Sequence, residues 1–569
     1  MVKIVTVAEM RAIEEEADAS GLSYAQMMDN AGRALADRVL ALLEEQPRAR
    51  ITVLVGPGNN GGDALVGGRL IAAESEHEVN FYLYRSRDEK KDPNFAAVKE
   101  AGLFIAEAEN DQRYRVLKNL INTSHVIIDG LLGIGLKLPL KGELAKFMDA
   151  ALKAIQAARQ APPPLTYQTP ADPATWPGSG PYIVAVDCPS GLDCDTGEVD
   201  PLTIPADETV TFAAVKRGQI HFPGAALVGQ LHVADIGLPQ KLPSRDAISL
   251  ELLTGAEARA LLPALPLDAH KGTFGKAMIV AGSLNYTGAA AMAAKAAYRA
   301  GAGLVTVGAP QPIVPILASQ VPEATWLLLP HDLGVLDEKA TEVLQKELDG
   351  YSALLMGPGW GREETTRNFL RAMLSREERE HVRRQIGFVP STPEGAASRE
   401  DNALQLPPLV IDADGLNLLS QLDAWWELLP PETILTPHPG EMSRLTGLSS
   451  QEIQASRLEL AAQKAQEWNC IVLLKGAYTV IAAPDGRVAV LPFAEPALAT
   501  AGTGDVLAGT IVGALAQGLA PFDAARLGGF LHGLAGAYAS EAVGSARSVT
   551  AKDVLDALPD AMTAIEQAA

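Results

Sequence analysis

The chain has only three cysteines in 569 residues, Cys188, Cys194 and Cys470, which excludes a disulfide framework and suits a reducing compartment. Cys188 and Cys194 are close in sequence, but no second Cys/His pair at zinc spacing accompanies them, so no structural zinc is expected. Basic residues are also short: 47 Lys and Arg face 69 Asp and Glu, a formal net charge of −22. That balance argues against a general nucleic-acid binder, whose affinity comes from clustered cations that release counterions. Anionic small ligands stay open, because N–H groups at helix starts bind phosphate whatever the global charge. No apolar run reaches bilayer length. The opening MVKIVTVAEMRAIEEEADAS turns acidic and amphipathic at once, without a signal-peptide core. A cytoplasmic protein that engages neither nucleic acid nor membrane is expected. Solenoid-length repeats are lacking, and so is a GxxxxGK[ST] run, which excludes a P-loop.

What is present is a repeated grammar of short β-branched runs, Gly-rich turns and Ala/Leu-rich helical stretches. A hydrophobic share of 47% and a length beyond one ordinary core imply a globular α/β chain of two domains. Strands are expected at Ile51–Val55, Val126–Ile128 and Ile183–Val186, each ending in a turn: GPGNNGGD, DGLLGIG and DCPSGLD. Fully apolar short strands separated by helices predict a parallel sheet covered on both faces, with ligands beyond its carboxyl ends. Proline-rich Ala161–Pro181 and polar Arg376–Gln405 read as surface insertions. The domain boundary is expected at Gly237–Ala247, GLPQKLPSRDA, giving domains 1–240 and 248–569. In the second, Ala289–Arg299 reads as a helix and Leu304–Val307 as a strand.

In the first domain, Gly56–Leu70 joins a strand to a helix. Its glycines let the backbone turn sharply beside a ligand, and the helix start offers N–H groups to phosphate. Asn60, Asp129 and Ser190 follow three strand ends. They suit either helix caps or oxygen ligands of a hard cation, and spacing does not choose. Asp187, at the third strand end, is a candidate proton-transfer group.

NNGGD (59–63), DGLLGIG (129–135), VDCPSGLDCDTGE (186–198) and ADETVTFAAVKRG (206–218) together resemble the NAD(P)H-hydrate epimerase domain. That family interconverts the R and S forms of NAD(P)H hydrated at C6 of the nicotinamide. The resemblance implies a Rossmann-like, three-layer α/β/α fold over about residues 1–240. It implies potassium at Asn60, Asp129 and Ser190. The hydrate would meet Asn59, Asn60, Gly61, Gly62 and Asp63, the loop Gly133, Ile134, Gly135, Leu136, Lys137, Leu138 and Pro139, and Asp187. Two departures stand out: Ala64 replaces a usual Gly, so its Cβ is expected to narrow the phosphate approach, and Cys188 replaces an aliphatic residue.

In the second domain the strongest motif is ALATAGTGDVLAGTIVGALAQGL, 497–519. Gly502 and Gly504 flank Thr503, and Asp505 opens a helix of about four turns. A helix N-terminus stabilises charge on a transferring phosphoryl, and a carboxylate there accepts the proton of an attacking hydroxyl. Asp505 as a plain helix cap is the weaker reading. His438, between prolines and near Glu441, is either structural or functional. Lys475, after an apolar strand, neutralises a phosphate or is simply exposed.

HKGTFG (270–275), AGSLNYTGA (281–289), GAGLVTV (301–307), MGPGWG (356–361), DADGLNLL (412–419), TPHPGEM (436–442) and ATAGTGDVLAGT (499–510) run in order. They resemble the ADP-dependent NAD(P)H-hydrate dehydratases, which have a ribokinase-like, three-layer α/β/α fold. The resemblance implies that ADP drives loss of the C6 hydroxyl, restoring NAD(P)H with release of AMP and phosphate. It places the hydrate at Gly359, Thr436, Pro437, His438, Pro439, Gly440, Glu441, Met442 and Asp505. It places the nucleotide at Lys475, Gly476, Ala477, Tyr478, Thr479, Leu498, Ala499, Thr500, Ala501, Gly502, Thr503 and Gly504. Mg2+ is expected with ADP. Glu495 and Ala501 depart from the usual Asn and Gly at the nucleotide edge. The substrates implied are NADHX, NADPHX and ADP, in a homo-oligomer. The alternative is a ribokinase-like kinase of a vitamin alcohol fused to a nucleotide-sensing module.

Overall fold

The computed structural model describes residues 2–159, 180–375 and 406–568, which fall into two compact units, 2–248 and 249–568. Apart from Gly180 and Pro181, the two expected insertions lie outside the described residues.

In the first unit the elements run β1 (Val2–Val5), α1 (Val7–Ala19), α2 (Tyr24–Leu42), β2 (Arg50–Val55), α3 (Asn59–Glu74), β3 (Glu78–Leu83), β4 (Phe104–Glu107), α4 (Arg115–Thr123), β5 (Val126–Gly130), α5 (Gly142–Ala158), β6 (Tyr182–Val186), β7 (Glu208–Phe212), β8 (Val215–Lys216) and β9 (Gln230–Ala234). Seven of the strands form one sheet in the order β4-β3-β2-β5-β6-β7-β9, parallel throughout. Alternation along each strand sends Leu54, Tyr82, Ile127 and Ile183 toward α4 and α5. Val53 and Phe81 face α3 instead, where the missing side chain of Gly68 admits them. Burying each of these large apolar side chains contributes roughly 1.5–3 kcal/mol. The strand order reverses at β2 and β5, which opens a crevice beyond their carboxyl ends.

Outside this sheet, β1 pairs in parallel with β8, Val5 opposite Lys216. That pairing and the Thr6–Glu9 capping box fix where α1 starts. Gly237–Ala247 packs with this unit: Ser244 N–H donates to the Glu16 carboxylate at 2.9 Å, and Gly237 lies against the Asn30 amide. Two prolines read as a break, but Pro243 sits at the first turn of a short helix, Pro243–Asp246, which tolerates it.

In the second unit the elements run β10 (Leu250–Leu252), β11 (Lys276–Val280), α6 (Thr287–Arg299), β12 (Leu304–Pro310), β13 (Thr325–Leu329), β14 (Ala353–Met356), β15 (Leu409–Ile411), β16 (Ile434–Leu435), α7 (Pro439–Thr446), β17 (Ile471–Leu474), β18 (Val480–Ala482), β19 (Val488–Val490), α8 (Thr503–Ala516) and α9 (Pro521–Val543). The sheet order is β13-β12-β11-β14-β15-β16-β17-β18-β19-β10. Its pairings are parallel except at β18, which runs antiparallel to β17 and β19. Helix α8 is apolar all round because it runs buried between α6 and α9. Gly509 and Gly513, one turn apart, let it approach the carbonyls of Ala293 and Ala297 on α6. This packing fixes the N-terminus of α8 above the carboxyl ends of the central strands.

Two candidate active sites

In the first unit, β2, β5 and β6 end in the three turns the sequence singled out. Gly56 N–H donates to Gly130 O at 3.1 Å, stitching the first turn to the second. Helix α3 starts at Asn59, so Asn59–Asp63 forms its first turn. A cavity of about 960 Å³ opens here. It is lined by Asn59, Asn60, Asp63, the whole loop Gly133–Pro139 and Asp187. Gly61 does not line it, because Gly61 packs on Gly56 O and the Arg87 guanidinium. Gly62 lines an adjoining cavity of about 800 Å³ that shares Glu14, Tyr24, Asn59 and Asp63 with the first.

Ala64 corrects the sequence reading. It is fully buried, and its methyl packs against Gly130 on β5, away from the cavity. The methyl therefore leaves the phosphate approach open. Cys188 is buried and free, consistent with a packing role.

Asp187 has φ of +60°, and that backbone turns its carboxyl into the cavity. Its Oδ1 accepts from Thr211 Oγ1 at 3.0 Å, from Phe212 N–H at 3.2 Å and from the Lys216 ammonium. Oδ2 accepts no hydrogen bond among the described residues. Lys216 is almost wholly buried and also donates to Thr211 Oγ1 and Phe212 O, both at 3.0 Å. Burial pulls this ammonium down most strongly, but Asp187 and the neighbouring Cys188 and Cys194 together leave the net direction up. Burial, then the negative charges of Asp187 and Glu14, pushes Asp63 well above the ordinary carboxylate range. Glu14 is raised by burial and then by Asp187. Sequence reasoning missed Lys216, Glu14 and Arg87. Lys216 stood inside the ADETVTFAAVKRG motif, but a lysine is almost never expected to be fully buried.

Behind the cavity wall, Asn60, Asp129 and Ser190 meet around the backbone of Leu131 and Leu132. Ser190 donates N–H and Oγ–H to the two Asp129 oxygens at 2.9 and 2.7 Å, while Asn60 Nδ2 donates to Leu132 O at 3.0 Å. Asp129 is fully buried and receives only neutral donors among the described residues. An uncompensated buried carboxylate is costly, and this oxygen-rich nook suits a monovalent cation. The residues fit potassium.

In the second unit, the parallel strands β14, β15, β16 and β17 lie side by side and end together. Their turns carry Gly357–Gly361, Asp412–Asp414, Thr436–Glu441 and Lys475. Lys475 is not an exposed lysine. Its Nζ lies 2.7 Å from Asp412 Oδ1 and 3.7 Å from Glu441 Oε2. Asp412 is buried and also accepts from Thr436 Oγ1 at 2.7 Å. A Cβ built on Gly504 would stand 3.6 Å from Lys475 Nζ and 3.8 Å from Asp412 Oδ2, so the start of α8 lies over this charge cluster. Gly502 caps α8 with φ of +92°, and Thr503 Oγ1 donates to Leu498 O and Thr500 O, both at 2.8 Å, pinning the loop.

Asp505 lies three residues past this cap, and its carboxylate accepts no hydrogen bond among the described residues, so it is not a cap. Burial first and Asp412 second push it up to about 7, against the pull of Lys475. Glu441 is also raised to about 7, mainly by burial. His438 combines both readings. It caps α7, its Nδ1 accepting from Gly440 N–H at 2.9 Å and its N–H donating to Glu441 Oε2 at 2.8 Å. It also stands half-exposed over the cluster, with Nε2 3.5 Å from Glu441 Oε1. Burial and then Lys475 push the imidazole down.

Gly359, with φ of +65°, packs on Tyr286 O and Ala289 at the start of α6. Pro437 O accepts from Lys475 N–H at 2.9 Å, and Met442 is buried. In the other expected segment, Gly476, Ala477, Ala499 and Ala501 are exposed at the surface. Gly476 has φ of +145° and packs on the buried Arg457 guanidinium. Tyr478 N–H donates to Phe493 O, and Thr479 Oγ1 to Gly476 O. Glu495 turns back to accept from Ala497 N–H at 2.9 Å. Asp412 was missed as a site residue although it lies in the DADGLNLL motif, because spacing alone does not tell a strand-end Asp from a helix cap.

Comparison with known proteins joins the two sites. A family model described as YjeF-related protein N-terminus matches residues 24–218, and one described as NAD(P)H-hydrate dehydratase matches 277–381 and 390–560. The bifunctional NAD(P)H-hydrate repair enzyme Nnr of Moorella thermoacetica is 35% identical, covering 99% of this chain and 97% of the relative. The enzyme of the same name from Escherichia coli is 31% identical, covering 96% and 91%. Among solved structures, an ADP/ATP-dependent NAD(P)H-hydrate dehydratase from Bacillus subtilis, co-crystallized with ATP/Mg2+, is 30% identical over 56% of this chain and 100% of its own, with a TM-score of 0.45. The described residues contain no helix long and apolar enough to cross a membrane. With both halves matched in order and relatives aligned along nearly the whole length, the chain belongs to the family of bifunctional NAD(P)H-hydrate repair enzymes.

Proposed function

We propose that the chain performs both steps of nicotinamide-cofactor repair. The first unit interconverts R- and S-NAD(P)H hydrate, and the second dehydrates the S form to NAD(P)H with ADP, releasing AMP and phosphate. The observation that carries this reading is a single one. One chain holds a cavity lined by Asp187, Asp63, Glu14 and Lys216 and, in a separate unit, a carboxyl at a helix start beside a lysine paired with the buried Asp412.

In the second unit, Asp505 takes the proton of the C6 hydroxyl as that oxygen attacks the β-phosphorus of ADP. AMP leaves with the electron pair of the broken P–O bond. Elimination then breaks the C6–O bond and expels phosphate, while C5 gives a proton to the departing phosphate and the C5–H electron pair becomes the restored C5=C6 double bond. A base held near 7 is about half ionised at neutral pH, which balances readiness against driving force. Lys475 offsets the charge of Asp412 and Glu441, so that an anionic nucleotide can approach. The N–H groups at the start of α8 face the transferring phosphoryl. Mg2+ would supply charge neutralisation at the phosphates. The described residues hold no cluster of three or more His, Cys, Asp or Glu ligands, so the nucleotide itself would bring most of its oxygens.

In the first unit, Asn59, Asn60, Gly62, Asp63 and the loop Gly133–Pro139 hold the hydrate, and Asp187 moves a proton at its C6 hydroxyl. Asn60, Asp129 and Ser190 would hold K+, which supplies a positive charge beside the start of α3. A cytoplasmic home, in keeping with three free buried cysteines, and a homo-oligomeric state readable by light scattering belong to the same proposal. The test of the second unit is incubation of S-NADPH hydrate with ADP. Recovery of NADPH absorbance with matching AMP is expected. ADP consumption only when a vitamin alcohol such as hydroxyethylthiazole is supplied would replace the reading by a kinase.

A further inference from the structure

The Asp187 cavity contains a carboxyl that the N-terminal family model does not reach. Glu14 lies on α1, outside residues 24–218 that the family model matches. It nevertheless lines the main cavity together with Asp187, Asp63 and Lys216, and it also lines the adjoining one. Its place is fixed from three directions. Strand β1 pairs with β8, which carries Lys216. The Thr6–Glu9 capping box sets the start of α1, and Val7 N–H donates to Asp195 Oδ1 at 2.6 Å. The Glu14 carboxyl makes no hydrogen bond among the described residues, so neither capping nor an ion pair occupies it.

Epimerisation needs two proton carriers at once. For C6 to invert through ring opening, the hydroxyl must lose a proton while the ring nitrogen gains one. Asp187 has one oxygen tied to Lys216, Thr211 and the Phe212 N–H, and the other free toward the cavity. That is the geometry of a base whose orientation is locked. The second carrier must reach the same ligand from another element and hold its proton.

We propose that Glu14 is the general acid of the epimerase cavity, paired with Asp187 as base. Asp187 takes the proton from the C6 hydroxyl, and the O–H electron pair becomes the second bond of a C6 aldehyde. The C6–N1 bond breaks, its electron pair goes to N1, and Glu14 delivers a proton there. Rotation of the aldehyde about the C5–C6 bond and the reverse sequence close the ring on the other face. Both residues recover their starting forms, so no oxidant, reductant or co-reactant is needed. Burial and then the charge of Asp187 push Glu14 upward, the direction that favours a proton donor.

This inference rests on the epimerase reading, so the experiment separates the two. The full chain is given pure R-NADPH hydrate without ADP, which silences the other unit, and R and S forms are resolved by chromatography. Wild type should convert far faster than buffer. Glu14→Gln should lose about 100-fold or more in kcat, with hydrate binding unchanged by titration, and Glu14→Asp should keep an intermediate rate. Glu14→Gln turning over like wild type would overturn the role. So would a loss of binding that accounts for the whole loss of rate, or a larger loss of kcat from Asp63→Asn than from Glu14→Gln. Wild type no faster than buffer would overturn the epimerase reading itself.

Discussion

Replacing Lys475 by Met tests the charge cluster of the second unit. Lys475 Nζ is 2.7 Å from Asp412, which is 1% exposed, and 3.7 Å from Glu441, which is 5% exposed. Removing one partner of a buried ion pair costs about 3–5 kcal/mol, because the other charge stays buried without compensation. The Thr436 hydroxyl still donates to Asp412 at 2.7 Å, and the Lys475 side chain is 18% exposed. Both favour the lower end, about 3 kcal/mol. Asp412→Asn should cost less, about 1–2 kcal/mol, because Lys475 keeps Glu441 as a partner. The double variant Lys475→Met/Asp412→Asn should be more stable than Lys475→Met alone, since the stranded carboxylate is gone. Urea unfolding followed by tryptophan emission isolates this unit, because five of the six tryptophans, Trp326, Trp360, Trp425, Trp426 and Trp468, lie in it. A Lys475→Met cost under about 1 kcal/mol, typical of an exposed pair, would refute the buried cluster. So would a double variant whose cost equals the sum of the singles.

The dehydration rate should rise with pH through about 7 and then level, because the base Asp505 must be ionised. A rate that falls over that interval would remove Asp505 as base. Asp505→Asn should abolish dehydration. Because the folded carboxyl binds its proton more tightly than the unfolded one, its ionisation destabilises the fold as pH climbs from about 4 toward 7. The variant should therefore gain stability at pH 8 relative to wild type, and lose that gain at acid pH, read by thermal melts. Asp129→Asn should remove any dependence of epimerisation on potassium, checked by exchanging K+ for a bulky organic cation. Gly502→Ala forces a side chain into φ of +92° with Ala551 and the Met292 sulfur 3.0 Å away. It should lower kcat and raise the ADP KM together.

Much of this architecture was legible in the chain because its strands are short, fully apolar and end in Gly-rich turns. Ile51–Val55, Val126–Ile128 and Ile183–Val186 lie inside β2, β5 and β6, and their turns do meet at one cavity. What stayed hidden depends on long-range packing. Lys216 and Lys475 look like surface lysines in sequence, and only the carboxylates brought from other strands make their burial tolerable. Glu14 reads as part of an acidic amphipathic face, and the pairing of β1 with β8 is what turns it inward. The direction of the Ala64 methyl follows from which face of α3 meets β5, which no local signal encodes. The two units divide at 248, just past the expected Gly237–Ala247 segment, in which Ser244 returns to Glu16.

Two-site repair by one chain is tested most directly with pure R-NADPH hydrate, ADP and Mg2+, following NADPH absorbance with wild type, Asp187→Asn and Asp505→Asn. Wild type should restore NADPH well above the spontaneous epimerisation rate. Asp187→Asn should fall to that spontaneous rate yet recover full speed when given the S form. Asp505→Asn should fail with either epimer. Wild-type recovery from R hydrate no faster than spontaneous epimerisation, or full recovery by Asp505→Asn, would contradict the account.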